Sequence, residues 1–75
     1  MIPVAWRELT RETLRETPNG VGVYEFGDKD SSRGVDVGVV RDAVKEELSY
    51  GDAARVRWRS APTRAAAESM AEEYR

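Results

Sequence analysis

Residues Gly20–Val40 read GVGVYEFGDKDSSRGVDVGVV, and the alternation inside this stretch decides the fold. Two valine-rich segments flank a polar, glycine-punctuated centre. In the first segment Val21, Val23 and Glu25 share one face of a strand, while Gly22, Tyr24 and Phe26 share the other. In the second, Val35, Val37 and Val39 lie opposite Asp36, Gly38 and Val40. Every residue from Gly27 to Gly34 favours a turn, so the stretch is expected to form an antiparallel hairpin with an eight-residue loop.

Working outward toward the N-terminus, Pro18-Asn19-Gly20 stops whatever precedes the hairpin, because proline cannot continue a helical hydrogen-bond ladder. A short helix is expected there, capped by Thr10. Leu9 before the cap and Leu14 inside it have the spacing of a hydrophobic staple. Ile2, Val4 and Trp6 alternate as an extended arm. Trp6 is expected to lie as a lid over the core.

Downstream of the hairpin, Val40, Val44 and Leu48 recur every four residues with charges between them, the pattern of an amphipathic helix. Gly51 is expected to end it in a left-handed conformation. A third strand follows at Arg55–Arg59, with Val56 and Trp58 on one face and three arginines on the other. Ser60 or Thr63 then caps a terminal helix over Arg64–Tyr74, whose stripe is Ala66, Met70 and Tyr74 flanked by Ala67 and Ala71. The expected architecture is a single α+β domain over residues 1–75, a small three-stranded antiparallel sheet flanked by three helices. Val23, Val37 and Trp58 are its expected core.

Composition removes many chemistries. A chain of 75 residues buries only about 60% of its extended surface, so the core is small. Without cysteine there is no disulfide or thiolate metal site, and without histidine the usual near-neutral proton carrier and commonest zinc ligand are missing. Any metal must be a hard cation held by carboxylates, and Ser–His or Cys–His catalysis is excluded. Gly20-Val21-Gly22 runs into a strand and does not open a helix, so it is not a dinucleotide fingerprint. No apolar run suffices for a membrane span, and MIPVAWRELT is not a signal peptide; a cytoplasmic, monomeric protein is the expectation.

Fourteen acids against twelve bases give a net charge of −2, which opposes strong nonspecific binding to nucleic acid. Ten of the bases are arginine. Three of them, Arg55, Arg57 and Arg59, form a comb on one strand face, about 6–7 Å between neighbours, a spacing that matches successive phosphates. The competing expectation is that these arginines pair with acids on a neighbouring strand, such as Glu25 or Asp36. The acidic helix residues Glu46, Glu47, Glu68, Glu72 and Glu73 are expected to be solvated.

Gly22-Val23-Tyr24 on the first strand and Asp36-Val37-Gly38 on the second resemble the paired motifs of the GIY-YIG nuclease superfamily. The gap between them, the lead-in Pro18-Asn19-Gly20-Val21 and the order of the following elements resemble that family as well. The resemblance implies a GIY-YIG-like sheet with the tyrosines of both motifs near a scissile phosphate, a helix arginine that stabilises charge, and a glutamate that holds a divalent metal. Tyr24 fits the first tyrosine. Asp36 stands at the second, where a carboxylate repels a phosphodiester. At the arginine position the chain has Glu46, or Glu47 with one inserted residue, and Arg41 falls too early. Glu68 matches the metal-binding glutamate, with Glu72 competing for the role.

With the arginine and the second tyrosine missing, the resemblance implies a non-catalytic GIY-YIG-like binding module, and no cofactor. Nucleic acid is its candidate partner, through Arg55, Arg57 and Arg59. Two alternatives stand beside it. One is a divergent metal-dependent nuclease using Tyr24, Glu68 and Mg²⁺, with Arg41 or the comb replacing the lost arginine. The other is a protein–protein module with no nucleic-acid role.

Overall fold

The first half of the hairpin becomes the central strand. In a computed structural model describing residues 1–75, the elements run β1 (Arg7–Glu8), α1 (Arg11–Glu16), β2 (Val21–Gly27), β3 (Ser32–Val39), α2 (Val40–Tyr50), β4 (Arg55–Ser60) and α3 (Arg64–Tyr74). They build an α+β domain on a four-stranded antiparallel sheet of order β1-β4-β2-β3. Strand β2 pairs with β3 from Val21↔Val39 to Glu25↔Val35, and with β4 from Gly22↔Ser60 to Gly27↔Arg55.

The expected count of three strands is one too few. Arg7 and Glu8 pair antiparallel with Val56 and Arg55. A two-residue strand of exposed charged side chains carries no alternation, so nothing local announces it. It exists because the outer edge of β4 offers free backbone groups to a passing chain.

The alternation of the strands splits the apolar residues into two cores. Val23 and Val35 face α3 and the N-terminal arm, packing with Ile2, Ala67 and Ala71, with Val37 at the margin. Val56 faces the other way, against Val40 and Val44 of α2, surrounded by Leu9, Leu14, Tyr24, Phe26, Leu48 and Trp58. Val23 and Trp58 therefore belong to separate cores, because they occupy opposite faces of one sheet. On α3 the buried centre is Ala67 and Ala71, whose small side chains let the helix sit close to the sheet; Ala66, Met70 and Tyr74 are only partly covered.

The hairpin connection is shorter than its composition suggests. Strand β3 begins at Ser32, leaving Asp28–Ser31 as the turn, closed by Asp28 N–H donating to the Ser31 carbonyl at 2.8 Å. The register slips between Glu25↔Val35 and Gly27↔Ser32, so two residues of β3, Arg33 and Gly34, oppose Phe26 of β2. Such a bulge needs a residue that tolerates the left-handed region, and Gly34 supplies it with φ of 100°.

The helix starts follow their caps. Thr10 Oγ1 accepts from Thr13 N–H at 3.2 Å, and Thr63 Oγ1 from Ala66 N–H at 3.1 Å. Leu9 and Leu14 both pack against the second core. Gly51 ends α2 in an extended conformation, φ −102° and ψ −173°, and not in the left-handed one. Its missing side chain leaves room for the Glu47 carboxylate, which accepts from Ala53 N–H at 2.9 Å and so closes the helix end. No helix is long and apolar enough to cross a membrane.

Candidate functional site

Tyr24 sits in the middle of the central strand on the face covered by α2. Its cross-strand neighbours are Asp36 on β3 and Trp58 on β4. The Phe26 ring meets the phenol edge-on, 5.5 Å between centroids at 62°. Gly38 leaves the opposite side open, so that a methyl group placed there would touch the Tyr24 ring at an ordinary 3.5 Å.

A cavity of about 440 Å³ lies between this part of the sheet and α2. Tyr24, Phe26 and Val39 form its apolar wall, and four acids line it, Asp36, Asp42, Glu46 and Glu47, the last with its carboxylate turned to Ala53 N–H and Arg33. Of the three on α2, Asp42 and Glu46 lie one helical turn apart, which places them on one face. No lysine or arginine lines the cavity. Burial pushes the Tyr24 hydroxyl above its ordinary value, the charges of Asp36 and Glu46 push it further, and the Arg64 guanidinium opposes them. The phenol is thus held neutral, a hydrogen-bond donor in a negative field.

The arginine comb does not present three free guanidinium groups. Arg57 is buried: its Nε donates to Glu25 Oε1 at 2.7 Å and its Nη1 to the Val4 carbonyl at 3.2 Å. Glu25 is fully buried directly opposite, and it also accepts from Ile2 N–H at 3.0 Å and from the Ser32 hydroxyl. Arg55 and Arg57 both stack on the Trp6 ring, at 4.2 and 3.9 Å. Trp6 therefore pins the N-terminal arm across the arginines. Arg59 alone is exposed, with Nη1 donating to the Tyr74 hydroxyl at 2.9 Å. The expected pairing of the comb with a neighbouring-strand acid is realised at Glu25, whereas Asp36 lies on the other face.

Glu68 and Glu72 share an open cavity of about 490 Å³ with Asp36 and Arg75 on the outer edge of β3. Glu68 Oε1 is 3.6 Å from Arg64 Nε. No group of three carboxylates converges closely enough to hold a metal ion. Arg41 donates to the Thr17 carbonyl, joining α2 to the end of α1.

Three arginines outside the expected set do organise the molecule. Arg33 binds Asp28, sits 3.0 Å from Asp52 and 3.6 Å from Glu47, and so ties the hairpin turn to the end of α2. Arg75 donates through Nε and Nη2 to the Val35 carbonyl at 3.3 and 3.1 Å, blunting the β3 edge. Arg64 brings its charge to Tyr24 from the first turn of α3. Arg64 becomes visible only once β4 is known to pair with β2 and deliver α3 beside it.

Fold and cavity together define a small α+β domain whose helices cover both faces of a four-stranded sheet and whose central tyrosine faces an acidic cavity. The chain belongs to a family described as a domain of unknown function, DUF7508, which matches residues 2–75. No curated protein and no solved structure matches it.

Proposed function

We propose that this chain is a non-catalytic, GIY-YIG-like binding module. One observation carries the proposal: the tyrosine that fits the first family motif, Tyr24, looks into a cavity lined by Asp36, Asp42, Glu46 and Glu47 with no cation among them. Phosphodiester cleavage needs positive charge where the transition state gathers negative charge, and losing one such arginine typically costs about three to five orders of magnitude in rate. Here the equivalent ground is negative, and the phenol is pushed toward its neutral form. An acidic, half-apolar recess of this kind suits recognition better than phosphate chemistry. The hairpin, the α2 cover, the β4 return and α3 follow the order that the resemblance implies.

The test is incubation of the purified chain with plasmid, branched and single-stranded DNA in the presence of Mg²⁺ or Mn²⁺. No cleavage above background is expected. Metal-dependent cleavage abolished by Tyr24→Phe would overturn the proposal.

A divergent nuclease is the second reading, and one observation favours it: Arg64 acts electrostatically on Tyr24 and lies 3.6 Å from Glu68. Under that reading Arg64, and neither Arg41 nor the comb, replaces the missing helix arginine, and Mg²⁺ enters at Glu68. It predicts Mg²⁺-dependent amide shifts around Glu68, and their absence at millimolar metal removes it. Binding of nucleic acid through the comb would rest on Arg59, since Arg57 is committed to Glu25.

A further inference from the structure

We propose that the groove between α1 and α2 is a docking site for an acidic peptide segment that carries a bulky aliphatic side chain. The groove is a cavity of about 430 Å³ on the outer side of the two helices. Leu14 of α1 and Leu48 of α2 are partly exposed there, and Arg11, Arg15 and Lys45 surround them. No acid lines it.

Its charge pattern is not what folding asks for. The chain has more acids than bases, fourteen against twelve, yet none of these three cations takes part in any of its ion pairs. Arg11 and Arg15 stand four apart on a six-residue helix, where like charges repel. Arg11 also occupies the first helical position, the end at which the backbone dipole disfavours a cation. The nearest acid on that helix to find a partner, Glu16, is taken by Arg7. Three unpaired cations thus share one groove, and the two on α1 come at a cost to that helix.

Charge and floor together select the occupant. Three cations around an opening call for carboxylates or phosphates, and the floor decides between them. Leu14 and Leu48 are aliphatic, offering no ring on which a base stacks, whereas an apolar side chain entering between them removes its own surface and theirs from water. A peptide with glutamates flanking leucine satisfies both parts, in the manner of helix-in-groove recognition. Past Lys45 and Ser49 the surface turns acidic at Asp42 and Glu46, beside the 89% exposed Tyr50, so the docking surface ends with the groove. This site lies apart from the Tyr24 cavity, so it stands or falls independently of the proposed lack of catalysis.

The experiment uses three fluorescein-labelled probes: a peptide of glutamates interrupted by leucines, the same peptide with serines for leucines, and a single-stranded DNA oligonucleotide. Anisotropy gives the affinity, and ¹⁵N-amide shifts of the wild-type chain give the site. The leucine peptide is expected to bind, to weaken as salt rises, and to shift the amides around Leu14 and Leu48. Lys45→Glu, an exposed change on α2, and the pair Arg11→Glu with Arg15→Glu are each expected to weaken it about tenfold or more. Circular dichroism checks that each variant is folded, and the wild-type shift map decides the question should one not be. Absence of binding, equal affinity for the serine peptide, or tighter binding of DNA through the same residues overturns the proposal. So does concentration-dependent self-association through this groove without peptide binding, which would make a second copy the occupant.

Discussion

Replacing Arg57 by methionine strands a charge inside the sheet. Glu25 is 0% exposed and its main counter-charge is Arg57, which is 8% exposed and 2.7 Å away. Breaking a buried pair from one side typically costs about 3–5 kcal/mol. A domain of this size has about 4–11 kcal/mol in total, so the variant is expected to be marginally folded at neutral pH. Burial alone pulls the Glu25 carboxyl up; hydrogen bonds from Arg57, Ser32 and the Ile2 N–H, with the charge of Arg57, outweigh it and hold the value at about 2, against 4.5 for a free glutamate. The difference is worth about 3 kcal/mol. Because the folded value is the lower one, this stabilisation is complete above the unfolded value of 4.5 and is lost as pH falls through about 2. Without Arg57, only the Ser32 and Ile2 hydrogen bonds oppose burial, so the carboxyl moves up from its wild-type value and the variant gains stability relative to wild type as acid neutralises it. Urea titrations followed by the fluorescence of Trp6 and Trp58, at about pH 7 and about pH 4, measure both effects. Arg57→Met should lose about 3–5 kcal/mol at the higher pH, and the double variant with Glu25→Gln should recover at least half of that. A loss below about 1 kcal/mol, or a pH dependence parallel to wild type, would refute the reasoning.

Two further outcomes follow from the tyrosine strand. Gly22→Ala places a methyl group against the Arg59 carbonyl oxygen, 3.0 Å from Val40 Cγ2 and 3.2 Å from Ser60 Cα, where the backbone cannot yield. It should cost about 1–3 kcal/mol and lower Tm by several degrees in a thermal melt, whereas Gly38→Ala, 3.5 Å from a ring, should change Tm little. The Tyr24 ring, followed by NMR through alkaline pH, should titrate above 10.0; Asp36→Asn should bring it down and Arg64→Met should take it further up. No movement with either substitution would mean that burial alone sets the value and that the cavity's charges do not reach the phenol.

The hairpin was legible because its physics is local. A period-two alternation states which residues share a face, and Val21, Val23 and Glu25 do lie opposite Tyr24 and Phe26. The caps at Thr10 and Thr63 were equally local, since each hydrogen bond closes within three residues. The bulge at Gly34 was missed because eight turn-forming residues look alike, and only the register against β2 distinguishes Ser32 as paired and Arg33 with Gly34 as the bulge. Trp6, expected as a lid over the core, stacks instead on two arginines of β4, about fifty residues downstream, and no spacing rule connects them.

For the site, residue types by themselves already placed Tyr24 on the first strand of the hairpin and Asp36 on the second. Strand order did the rest. Setting β2 between β3 and β4 brought Tyr24 beside Asp36, carried α2 over both, and turned separate acids at 36, 42, 46 and 47 into one cavity. The same order put Glu25 opposite Arg57 and buried the pair, so the comb that looked like one binding surface became a core contact with a single exposed arginine. Alternation along a strand fixes which face a side chain takes; only the pairing of strands far apart in the chain decides whether that face meets water, a helix or an opposite charge.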